Sequence, residues 1–73
     1  MKIGDGIMFH FKDKIYYLGT LTKKLHPGYK ISLEVSVNNG VISEVHGNAS
    51  VAKSQIFKNG YDKFVMKNAE YFI

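Results

Sequence analysis

The sequence predicts a mainly β domain: a small curled antiparallel sheet of about five strands, ending in a short C-terminal helix. Three observations carry this. Residues 29–37 alternate apolar and polar without a break, and residues 7–11 place Ile7, Phe9 and Phe11 at period two. Between the periodic runs stand Pro27-Gly28, Asn39-Gly40 and Asn59-Gly60, dipeptides that break or turn a chain. With 73 residues there is room for a single domain, 1–73.

Ile7-Met8-Phe9-His10-Phe11 reads as a first strand, with Ile7, Phe9 and Phe11 on the inward side of a period-two pattern. Lys12-Asp13-Lys14 is a short polar turn. Ile15 to Lys24 is a second strand, rich in the β-formers Ile15, Tyr16, Tyr17, Thr20 and Thr22. Gly19 in its middle predicts a bulge or a sharp bend. After the loop Leu25-His26-Pro27-Gly28 comes the clearest strand, placed at the centre of the sheet. Its residues Tyr29, Ile31, Leu33, Val35 and Val37 share one face, and Lys30, Ser32, Glu34 and Ser36 share the other.

Val41 to His46 returns along that strand. A two-residue loop at Asn39-Gly40 would set Glu44 opposite Val35. A three-residue loop pairs Val37 with Val41, Val35 with Ser43 and Leu33 with Val45, keeping apolar beside apolar, and is the register expected. That register also places Gly40 at the left-handed position of a type I turn plus bulge. Gly47-Asn48-Ala49-Ser50 reads as a loop, with Ser50 as cap of a helical turn over residues 51–57. The tail carries two readings. Tyr61, Phe64, Val65, Ala69 and Phe72 fit helical spacing with Asp62 as N-cap, the preferred form; Phe64–Met66 and Ala69–Ile73 fit two strands.

Gly4-Asp5, the core positions Ile7 and Phe9, the turn residue Lys14 and the internal Gly19 together resemble the opening strands of small SH3-like barrels of the KOW and related types. The resemblance covers the first third of the chain. It implies a curled or barrel-like sheet that binds nucleic acid, ribosomal RNA or protein and is seldom an enzyme. The tail beyond Gly60 is longer than the final strand of such domains, and fold alone does not fix function.

Composition narrows the classes further. A chain of this size buries only about 60% of the surface its unfolded form exposes. There is no cysteine to staple it, so the core rests on the 45% of residues that are apolar, above all five Tyr and five Phe. Self-association is a common support for so thin a core. Nothing resembles a secretory leader or a membrane span, and a cytoplasmic setting is expected. All ten basic residues are lysine, against six acidic ones, for a net charge of +4. Arginine is the usual reader of guanine edges, so its absence disfavours sequence-specific DNA recognition. Lysine suits phosphates as a point charge. The lysine-, asparagine- and isoleucine-rich usage fits an AT-rich coding genome, such as that of a low-GC bacterium or its phage.

Catalytic patterns are weak. His10, His26 and His46 lack metal-ligand spacing. Glu34 and Glu44 fall on the solvated face, and the serines have no nucleophile-elbow context. Gly4-x-Gly6 is too short for a phosphate loop. No cofactor or metal is expected, and no enzymatic activity. The suggestive feature is lysine beside tyrosine on two loops: Lys12 and Lys14 with Tyr16, and Lys23, Lys24, His26 and Lys30 with Tyr29. Phosphate contacts plus base stacking are how non-specific nucleic-acid grooves work. The structural reading of the same residues is that lysines protect edge strands while tyrosines pack the core. The expected function is therefore non-enzymatic binding of an anionic partner, a nucleic-acid backbone or a phosphate-bearing ligand. The alternative is a protein-interaction or inhibitor domain, for example a phage accessory protein that blocks a host protein.

Overall fold

A computed structural model of the chain describes residues 1–57 and 59–72. It contains five strands and one helix: β1 Gly6–Lys12, β2 Ile15–Lys24, β3 Tyr29–Asn38, β4 Val41–Glu44, β5 Asn48–Val51 and α1 Gly60–Lys67. A single 3-10 turn, Lys53–Gln55, follows β5. The sheet is antiparallel and open, in the order β1-β2-β3-β4. As expected, β3 is its centre. β2 pairs along one edge of β3, while β4 takes Val35–Asn38 and β5 takes Tyr29–Ser32 on the other. Beyond the 3-10 turn the chain curls back to β1: Ile56 bridges Phe9, and the N–H of Phe57 donates to the carbonyl of Met8 at 2.9 Å. No helix among the described residues is long and apolar enough to cross a membrane.

The apolar residues form two clusters, one on each side of the sheet. Ile7, Phe9, Leu21, Ile31 and Val51 fill the inside of the curl, flanked by Tyr17, Tyr29, Leu33, Ala49 and Ile56. Leu18, Val35 and Val37 lie on the opposite side, where Tyr61, Phe64 and Val65 of α1 and Phe72 cover them. This corrects the single apolar face expected for β3. Leu18 pairs with Val35 and Gly19 with Leu33, so Glu34 is an extra residue, a β-bulge. The bulge turns the strand over. Ile31 and half-buried Leu33 face one core, and Val35 and Val37 the other.

Phe11 is a second correction. His10 pairs with Tyr16 and Lys12 with Ile15, which leaves Phe11 unpaired at a bulge and 51% exposed instead of inward.

The β3–β4 loop is the two-residue one, not the three-residue one. Val37 pairs with Ile42 and Val35 with Glu44. Asn39 and Gly40 both have positive φ, 51° and 84°, the signature of a type I′ turn whose twist matches that of the strands. The expected penalty for Glu44 does not arise, because β4 is an edge strand and the carboxylate reaches solvent, 3.3 Å from His46 Nε2. Gly40 is left-handed as required and has open space around it. Gly40→Val is expected to lower stability by about 1–3 kcal/mol through backbone strain alone, and Gly40→Asn by much less. Urea midpoints of the three proteins check this; a valine variant as stable as the wild type refutes the turn.

Residues 48–50, expected as a loop, and Val51, expected to begin a helical turn, form β5, and the helical turn shrinks to the 3-10 turn at Lys53–Gln55. Ser50 caps nothing: the side-chain oxygen of Gln55 accepts the Ala52 N–H at 2.8 Å and holds the 3-10 turn. The C-terminal helix is present, but Asn59 holds the N-cap position and Asp62 lies in the first turn. Phe64–Met66 is therefore helix rather than strand, and residues 69–72 are turns; Ile73 lies outside the described residues.

Candidate functional site on the outer face of the sheet

The residues singled out from sequence divide into two groups at opposite ends of β2. Lys12 and Lys14 flank the β1–β2 turn; Lys23, Lys24, His26, Tyr29 and Lys30 surround the β2–β3 loop. At about 3.3 Å per residue these ends lie some 25–30 Å apart, along a molecule whose long axis is 35 Å. They do not form one patch. Neither tyrosine is a free stacking platform. Tyr16 packs against the Leu18 cluster, with His10 and Phe57 at ring distances of 5.4 and 5.5 Å. Tyr29 packs against the Ile31 cluster.

The β2–β3 end is built by pairing. Lys23 stands opposite Lys30, and Lys30 opposite Ser50 of β5. Thr20 stands opposite Ser32, and Ser32 opposite Asn48. Directly paired residues point to the same side of a sheet, and residues two apart along a strand do likewise. These six side chains therefore make two adjacent rows on the outer face, opposite the core residues Leu21, Ile31 and Ala49. Thr22, the extra residue at a further register shift, donates its hydroxyl to the Lys30 carbonyl at 3.1 Å and fixes that register. Lys24 pairs with Tyr29 and so belongs to the other side.

Apart from the Thr20 hydroxyl, which is donated to the exposed Glu34 carboxylate, these rows present ammonium, hydroxyl and amide groups, which can donate hydrogen bonds to an anion. Among the described residues the one ion pair is Glu44–His46, so no carboxylate neutralises Lys23 or Lys30. Like charges placed directly opposite destabilise a sheet, and an anion laid across them removes that repulsion. At the border of the rows Glu34 accepts Thr20 Oγ1 at 2.8 Å and the Tyr61 hydroxyl at 3.2 Å, tying α1 to the sheet. Burial, and then the Glu34 carboxylate, raise the Tyr61 phenol above its ordinary value, so it stays protonated and donates.

Chemistry of other kinds finds no constellation. No group of three His, Asp or Glu able to hold a metal occurs among the described residues. Glu34 and Glu44 each have their own partners and do not form a carboxylate pair. Sequence reasoning overlooked Ser32, Ser50, Asn48 and Thr20 as companions of the lysines. The alternation of residues 30–36 was the available signal, but Asn48 and Ser50 join only through a strand that loop-like residues conceal. Compared with known proteins, the chain matches no family model, no curated protein and no solved structure.

Proposed function

We propose that this is a non-enzymatic binding domain for an anionic partner, the phosphate backbone of a nucleic acid, engaged by the outer face of β2, β3 and β5. The observation that carries the reading is the Lys23–Lys30 cross-strand pair, neither lysine in an ion pair with a described residue, beside the hydroxyl and amide donors Ser32, Asn48 and Ser50. Lys24 extends the positive charge around the loop, and His26 beside it is exposed as well. Without arginine the contact is to backbone rather than to base edges. The resemblance to SH3-like domains agrees with this use.

Binding is expected to weaken steeply with salt. Each phosphate neutralised contributes a log–log slope of about −0.9 on duplex or −0.7 on single strands, so three lysines give roughly −2 to −3. The double variant Lys23→Ala/Lys30→Ala is expected to remove about 1.4–1.8 of that slope, equally for all sequences. Fluorescence anisotropy with a mixed-sequence oligonucleotide, starting at about 10 mM salt where the Debye length is about 30 Å, measures both quantities. Failure to bind at that ionic strength refutes the proposal. It then favours the alternative, a protein-interaction domain, for which Val41 and Met66, 64% and 79% exposed, provide apolar contact points.

A further inference from the structure

We infer that the β1–β2 end carries an aromatic platform for an unpaired base, so that the nucleic acid is single-stranded. This rests on the backbone-binding reading above and adds to it the class of strand. The residues are Phe11 and Tyr17, neither of which belongs to the lysine face. Alternation alone would bury Phe11 beside Ile7 and Phe9. The bulge instead re-aims it, and 51% of it is exposed. A three-ring ladder supports it from the core outward. Phe9 is 1% exposed; Tyr17 stacks on it at 5.6 Å and 24°; Phe11 meets Tyr17 edge-on at 5.6 Å and 82°. The outermost ring is thus held by its neighbours while presenting surface to solvent.

The charge beside this ring defines its partner. Lys12 Nζ lies over the Phe11 ring, 5.3 Å from its centroid, and Lys14 occupies the same turn with φ 61°. Asp13 between them is the local counter-charge. A half-exposed aromatic ring with one ammonium over it and a second lysine in the same turn matches a base and its phosphates: a base takes the place of Lys12 on the ring, and the lysines meet the backbone. Bases inside a duplex are stacked on each other and cannot use such a ring.

The test compares a single strand of about 16 nucleotides, the upper end of single-domain site sizes, with a duplex of the same length, by anisotropy at low salt. The single strand is expected to bind more tightly. Phe11→Ala is expected to weaken it by about 5- to 150-fold, the range for loss of one stacked base, and to leave duplex binding within about twofold. Because Phe11 is exposed, the melting temperature of the variant is expected to match the wild type. Phe11→Leu, which keeps apolar bulk without an aromatic face, is expected to behave like Phe11→Ala. Equal binding of both nucleic acids, or silent Phe11 variants, overturns the platform; if Lys23→Ala/Lys30→Ala still weakens binding, the backbone reading stands. No binding of either nucleic acid by the folded protein overturns both and assigns Phe11 to a protein partner.

Discussion

Leu21→Ala is expected to remove a large share of the domain's stability, about 2–5 kcal/mol. Leu21 has no exposed surface and lies in the inner cluster with Ile7, Phe9, Ile31 and Val51. Truncating a buried leucine costs about 2–5 kcal/mol, the sum of lost transfer energy and the cavity left behind. At 0.05–0.15 kcal/mol per residue, a chain of 73 residues has roughly 4–11 kcal/mol in total. No disulfide offsets the loss. The cavity cannot close easily, because the inner cluster is walled by the sheet and by the returning segment at Ile56. Urea denaturation followed by circular dichroism measures the change. Leu33→Ala is the internal comparison: Leu33 is only half-buried at the margin of the same cluster, so its effect is expected to be smaller. A Leu21→Ala protein as stable as the wild type refutes the assigned core.

Gly19→Val is expected to be as damaging for a different reason. Gly19 pairs with Leu33 beside the Glu34 bulge, with the β3 backbone close against it. A Cβ built there would overlap the carbonyl oxygen of Ser32 and lie 2.8 Å from Ile31 Cγ2. A backbone carbonyl cannot rotate out of the way as a flexible side chain can, so the two central strands must separate. Overpacking costs typically 1–3 kcal/mol and occasionally more, and at this position about 3 kcal/mol or more is expected. Gly19→Ala is expected to show most of the effect, because the clash begins at Cβ. Hydrogen exchange distinguishes this from simple core loss: protection is expected to fall first at the amides shared by β2 and β3. Wild-type protection there in Gly19→Ala refutes the close approach.

The candidate site was legible in part. Lysines 23, 24 and 30 announced a basic loop, and pairing does bring Lys23 and Lys30 together. Tyr16 and Tyr29 misled because a tyrosine beside a lysine in sequence says nothing about the side of the strand on which its ring lies. Both rings pack on apolar clusters, while Phe11, assigned to the core by alternation, is the ring in solvent.

By itself the sequence determined what local chemistry controls. The period of β3 makes it a strand, Asn39-Gly40 permits a left-handed turn, and Gly19 marks an irregularity in β2, where the structure has a register shift between Leu18 and Gly19. The side of the sheet that each residue occupies was decided only by the tertiary structure. Extra residues at Phe11, Thr22 and Glu34 shift the registers, and each shift moves the following side chains to a new orientation. Period-two alternation cannot reveal such a shift. A bulge forms where pairing with a distant strand, packing under α1 and closure of the curl are together more favourable than continuous pairing, and those energies belong to partners far along the chain.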